Sequence, residues 1–174
     1  QKLNLYFELI KPDLENLREF LRSSPDLKSL GVTAHAEHIL DIFRENLILP
    51  VEELTICVSV PGRANLQAYE SFANIFSRHS FVKKVHLNPY NCYVASFNPI
   101  LKALEELCHL ESLKINFQTP AKREDGKFNK FKDLFTKSSS LKHVDLNLQH
   151  DSMNSKELGN LIDGFLMLKN LESF

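Results

Sequence analysis

The chain is 174 residues long, 43% hydrophobic and 25% charged, ordinary values for a folded protein with a sizeable core. Its formal net charge of −1 removes any global pull toward nucleic acid or an anionic membrane, and no apolar run reaches the roughly 18 residues that span a bilayer. Cys57, Cys92 and Cys108 are too few, and odd in number, for a disulfide framework; with no Asn-x-Ser/Thr site and no signal segment in the first residues, the chain reads as intracellular and cytoplasmic.

One short phrase recurs along the chain: an apolar residue, two variable residues, an apolar residue, one variable residue, an apolar residue. Leu3 and Leu5 form the tail of a first copy and predict a short strand near residues 3–7. Pro12 before Asp13 opens a predicted helix over 12–23, apolar at Leu14, Leu17 and Leu21. The first complete phrase, Leu27-Leu30-Val32, predicts a strand at 28–33, and a helix follows over 35–47 with Ile39, Ile42 and Phe43 inward. Val51-Leu54-Ile56 places a strand at 52–57, before a helix over 65–78 that carries Tyr69, Phe72 and Phe76. Val82-Val85-Leu87 gives the strand 83–88, and Ile100 and Leu104 mark a helix over 97–108. Leu110-Leu113-Ile115 gives the strand 111–116, and Phe128, Phe131 and Phe135 a helix over 127–137. Leu141-Val144-Leu146 gives the strand 142–147; Leu158, Leu161 and Phe165 mark a last helix over 154–168, before an incomplete phrase holding Leu171 and Phe174. Pro25, Pro50, Pro61 and Gly62 punctuate the connections.

The spacing carries the argument. Phrases start at 27, 51, 82, 110, 141 and 171, in steps of 24, 31, 28, 31 and 30 residues, a range typical of stacked supersecondary units. Six residues before five of these starts stand Leu21, Phe76, Leu104, Phe135 and Phe165, and ten before stand Leu17, Phe72, Ile100, Phe131 and Leu161. Every one is apolar, and each pair shares one helix face. The end of the phrase alternates apolar and variable residues, as a strand with one buried face does. Such a unit cannot bury its apolar edge alone, but stacked copies share one core. The second unit breaks phase, with Glu45 six residues before Val51, and reads as a trimmed copy. No boundary interrupts the pattern. Residues 1–174 read as a single array of about six irregular repeats and, without an initiator Met and ending mid-phrase, as a fragment of a longer chain.

Units of this length, with Leu-x-x-Leu-x-Leu strands and in-phase helices, resemble leucine-rich repeats, and the full helices resemble the ribonuclease-inhibitor-like subclass. The resemblance covers essentially the whole chain. It implies an α/β fold: a right-handed solenoid, or horseshoe, with a parallel inner sheet and outer helices. The sequence departs from the family at the ninth phrase position, usually Asn or Cys, which here holds His35, Ser59, Tyr90, Gln118 and Gln149. Asn88, Asn116 and Asn147 recur instead at the seventh. The resemblance further implies that the third, fifth and seventh positions line a concave face. The third column reads Ser29, Glu53, Lys84, Ser112, His143; the fifth Gly31, Thr55, His86, Lys114, Asp145; the seventh Thr33, Cys57, then the three Asn. The columns are polar, mixed in sign, and lack the Tyr, Trp or Arg anchors usual in interfaces.

No nucleotide-binding glycine pattern is present. His35-Ala-Glu-His38 lacks the spacing of a zinc motif and reads as a solvated helix start, and Cys108-His109 has no orienting acid and reads as a buried or half-buried thiol. His143 and Asp145 would share a strand face, but His86 lies two strands from Asp145, roughly 10 Å at a strand spacing of about 4.8 Å. No catalytic set, cofactor or metal site is therefore expected. The basic stretch at 121–132 reads as an exposed connection with a solvated helix face. The candidate binding residues are His86, Asn88, Lys114, Asn116, His143 and Asp145 on the concave face, with Tyr90 and Tyr93 on the rim; His86, Lys114, Asn116 and Asp145 are expected to be exposed together. The expected function is a non-catalytic scaffold binding another protein through that face or the rim loops, with neither nucleic acid nor membrane as partner. The alternative is the recognition region of a larger protein, such as an innate-immune-type sensor, a ubiquitin-ligase substrate receptor or a GTPase regulator.

Overall fold

Strands and helices alternate strictly in the computed structural model, which describes residues 1–7, 14–44, 47–59, 66–90, 97–117, 128–148 and 154–174. In chain order they are β1 (Lys2–Phe7), α1 (Leu14–Arg22), β2 (Ser29–His35), α2 (Ala36–Ile42), β3 (Glu53–Ser59), α3 (Leu66–Arg78), β4 (Lys84–Tyr90), α4 (Asn98–Glu105), β5 (Ser112–Asn116), α5 (Asn129–Lys137), β6 (His143–Asn147) and α6 (Ser155–Met167). Each strand falls on a recurrence of the phrase, and each helix on the segment between.

The six strands form one sheet in the order β1-β2-β3-β4-β5-β6, every pair parallel. Each helix therefore returns the chain to the neighbouring position and the order never reverses, as stacking of like units requires. Equivalent phrase positions face one another: Leu30 pairs with Leu54, Leu54 with Val85, Val85 with Leu113 and Leu113 with Val144. Beyond β6, Ser173 makes a parallel bridge to His143.

The apolar strand row and the helix stripe close into one core. Leu30, Val32, Leu54, Ile56, Val85, Leu87, Leu113 and Ile115 are buried with Leu21, Phe72, Phe76, Ile100, Leu104, Phe131 and Phe135. The first residue of each complete phrase, from Leu27 to Leu141, is buried at the corner where helix turns into strand. At about 1.5–3 kcal/mol for each large apolar side chain, this burial is the main stabilising contribution. A chain of aromatic rings runs through the later units, linking neighbours at Phe97–Phe117 (5.3 Å between centroids) and Phe135–Phe165 (4.9 Å) and continuing within one unit through Phe117–Phe131 (6.5 Å) and Phe131–Phe135 (6.0 Å).

The trimmed second unit has its own solution. Helix α2 has 7 residues against 13 in α3, and Leu47 and Leu49 of the connection are buried beside Ile39, Ile42 and Phe43. His79 from the next unit completes it. The Leu49 amide donates to His79 Nε2 at 3.2 Å, so Nδ1 carries the proton and donates to the Ile75 carbonyl at 2.6 Å. Burial holds the His79 pKa below its ordinary value, and the ring stays neutral.

Leu158 does not join the core. It is half exposed, as are Ile162 and Met167, and Leu166 is more exposed still, because among the described residues α6 packs against one helix only, α5. Cys108 is exposed, neither buried nor half-buried, because it sits in the turn between α4 and β5.

Candidate functional site

Alternation along each strand sends one row into the core and the other to the opposite face of the sheet. The register assembles that second row into columns. Ser29, Glu53, Lys84, Ser112 and His143 form one, and Gly31, Thr55, His86, Lys114 and Asp145 the next. In the third, Thr33, Cys57 and Asn88 are aligned, as are Asn116 and Asn147. Strand β1 extends all three with Lys2, Asn4 and Tyr6. Tyr6 is an exposed aromatic anchor that the reading of the columns from Leu27 onward missed; the phase of Leu3 and Leu5 already implied its direction.

The candidate residues on this face are adjacent but unequal. Lys114, Asp145 and His143 are exposed, whereas His86, Asn88 and Asn116 are half-buried, so the four side chains expected to be exposed together are not. The cause is local. His86 stands at mid-strand between Thr55 and Lys114, and neighbouring side chains shield its ring. Burial lowers its pKa, and the Lys114 ammonium lowers it further. Its Nε2 atom is buried without a hydrogen-bond partner among the described residues.

Lys114 and Asp145 form an ion pair across β5 and β6. His143 Nδ1 lies 2.9 Å from Ser173 Oγ, and His143 Nε2 lies 3.7 Å from a Glu172 oxygen. Asp145 is therefore directed to a lysine, and His143 to the bridge beyond β6. Asn88 donates from Nδ2 to Cys57 Sγ at 3.1 Å, which fixes the amide on the sheet. At the β5–β6 end of the face a cavity of about 410 Å³ is lined by Ser112, Lys114, His143, Asp145, Ser173 and Phe174. This arrangement offers a paired cation and anion, two imidazoles and several amides, which suits hydrogen bonding to a polar surface.

Tyr90 ends β4 in line with Ser59, but its side chain lies outside the described residues, as do Asn91, Tyr93 and the connection at 118–127. Of the basic stretch at 121–132, Lys130 pairs with Asp133 at 2.9 Å and Lys132 with Asp163 at 3.2 Å, the arrangement of a solvated helix face. His35 and His38 stand at the β2–α2 junction with ring centroids 6.3 Å apart. Among the described residues no group of three His, Cys, Asp or Glu could hold a metal ion, and no helix is long and apolar enough to cross a membrane.

A further column escaped the sequence reading. The second phrase position, treated as variable, runs Lys28, Glu52, Lys83, Glu111, Lys142, Glu172 and alternates in sign from unit to unit. Glu52 lies 3.4 Å from Lys28 and 3.0 Å from Lys83, and Glu111 lies 3.1 Å from Lys142. The Lys83 ammonium, followed by Lys28, holds the Glu52 carboxyl below the usual carboxylate range, and Glu52 in turn raises Lys83. These pairs are exposed and individually weak, but their alternation favours like units one register apart. No protein-family model matches the chain, and no curated protein matches it.

Proposed function

We propose that the protein is a divergent leucine-rich-repeat array of the ribonuclease-inhibitor-like kind, and that it serves as a non-catalytic scaffold holding a protein partner against its polar strand face. One observation carries this reading: equivalent strand positions align in register, so that the polar row becomes a continuous surface from Lys2 to Asp145. A repeat array with one extended polar face is suited to a large partner rather than to a small substrate. Tyr6 at one end and the Lys114–Asp145 pair at the other give the face both an aromatic anchor and charges. The rim residues Tyr90 and Tyr93 belong to the same proposal.

A partner recovered with the intact protein should bind the folded His86→Ala, Lys114→Ala, Asp145→Ala triple variant much more weakly. Unchanged affinity moves the site off this face. The alternative, the recognition region of a larger multidomain protein of the sensor, ligase-receptor or GTPase-regulator type, is favoured by the apolar outer side of α6. An adjoining F-box or nucleotide-binding module in the full-length sequence would establish it.

A further inference from the structure

The boundary between α2 and α3 differs from those between α4 and α5 and between α5 and α6 in what its polar side chains meet. On α6, the residues eleven and eight before Leu171 are Asn160 and Asp163, and both reach back to α5: Asn160 Nδ2 donates to Asn129 Oδ1 at 2.7 Å, and Lys132 donates to Asp163 at 3.2 Å. On α5, the residue four before Leu141 is Lys137, which pairs with Glu105 of α4. The residues of α3 at the same offsets from Val82 are Ser71, Asn74 and Arg78. Neither Asn74 nor Arg78 makes a hydrogen bond or ion pair with any described residue. The short α2 ends before it can supply partners, and a cavity of about 390 Å³ opens there, with Leu40, Phe43 and Arg44 on one wall and Asn74, Ile75 and Arg78 on the other.

We propose that this groove is a binding site for an oxyanion, a carboxylate or phosphate group, carried on a small apolar body. Arg78 contributes an uncommitted guanidinium, whose planar fork matches both oxyanions. Arg44 contributes a second, with its Nε held 2.7 Å from Asp41 Oδ1. The Asp41 carbonyl at the end of α2 is itself occupied, accepting from Nε and Nη2 of the buried Arg18 at 3.0 and 2.6 Å. Two guanidiniums, Arg44 and Arg78, thus line the groove, and of these only Arg44 is paired with a carboxylate among the described residues, that of Asp41. Phe43 and Ile75 are buried and form an apolar floor. The volume lies in the range of small-ligand pockets. The groove is on the helical side, away from the strand face, so the two proposals succeed or fail independently.

The test titrates phenylacetate, phenyl phosphate, inorganic phosphate and the neutral phenylacetamide into ¹⁵N-labelled protein, read by two-dimensional NMR. The expected result is saturable shifts at Asn74, Arg78 and Leu40 with an aromatic oxyanion and none with phenylacetamide. Saturation by only one of the two aromatic oxyanions also supports the site and identifies which oxyanion it prefers. Arg78→Gln, at an exposed position, should weaken binding about tenfold, the loss of one charge-assisted contact; Arg44→Gln serves as a second variant. Equal binding of phenylacetamide, equal binding by both variants, or no saturable shift at these residues overturns the proposal. So does inorganic phosphate binding as tightly as phenyl phosphate, since the apolar floor would then have no role.

Discussion

Two glycines in the interior of α6 make a controlled comparison, because the same substitution should act in opposite directions five residues apart. Replacing an interior helical glycine with alanine removes a backbone-entropy penalty of roughly 0.5–1 kcal/mol. At Gly159 a methyl group meets nothing within 4 Å, so Gly159→Ala should stabilise by about that amount. At Gly164 the same methyl would sit 3.0 Å from Phe135 Cδ2 and 3.1 Å from the Lys132 Cα, where α6 lies against α5. A ring locked in the core and a backbone atom can give little way, and overpacking of this kind costs about 1–3 kcal/mol. Gly164→Ala should therefore be neutral to destabilising by about 2 kcal/mol. Urea denaturation followed by far-UV circular dichroism reads the difference: at slopes of about 1–3 kcal/mol/M, each kcal/mol moves the midpoint by roughly 0.3–1 M. Equal stabilisation by both substitutions would refute the close approach of α6 to α5.

Leu104→Ala should cost about 2–5 kcal/mol and Phe135→Ala about 3–5, since both side chains are fully buried, whereas Lys114→Ala on the opposite face should cost under about 0.5. Equal losses at Leu104 and Lys114 in chemical denaturation would mean that the strand faces are inverted. His79 predicts a pH dependence: its folded pKa lies below the ordinary 6.5, so stability is complete above that pH. As the pH falls from about 6.5 toward the folded value, only the unfolded chain takes up the proton, and stability is lost. His86 shifts in the same direction, so His79→Gln should flatten the loss between pH 8 and pH 5 without abolishing it; an unchanged slope in urea midpoints would contradict the buried neutral ring. Glu52→Lys places three lysines side by side in the alternating ladder, and should lower the thermal midpoint more at low salt than at high salt. A salt-independent effect would show that the ladder contributes no electrostatic stabilisation.

The strands were readable because their apolar positions recur at constant offsets, and a residue such as Val85 can satisfy the phrase only with its side chain inward. The columns followed from the same alternation. Exposure within the columns did not follow: whether His86 is open depends on the bulk of Thr55 and Lys114 beside it, which the strand pattern does not encode. The tie between His79 and Leu49 was equally hidden, because nothing in the trimmed connection announces which backbone amide lacks a partner. Leu158 matched the helix stripe, but burial requires a neighbour on each side. The charge ladder was present in the sequence all along, yet its alternation becomes visible only when units of 24 to 31 residues are laid side by side in register.

That register is the premise from which the polar face, its columns and the proposed interface follow, and a pair of engineered cysteines reads it directly. His86 and Lys114 are opposed on neighbouring parallel strands, where a spacing of about 4.8 Å lies within the range of about 4.4–6.8 Å that a disulfide spans. With Cys57, Cys92 and Cys108 replaced by serine, His86→Cys, Lys114→Cys should cross-link under mild oxidation. His86→Cys, Ile115→Cys, one residue out of register and on opposite faces, should not. A cross-link in the offset pair, or in neither pair of folded variants, would contradict the stacked arrangement.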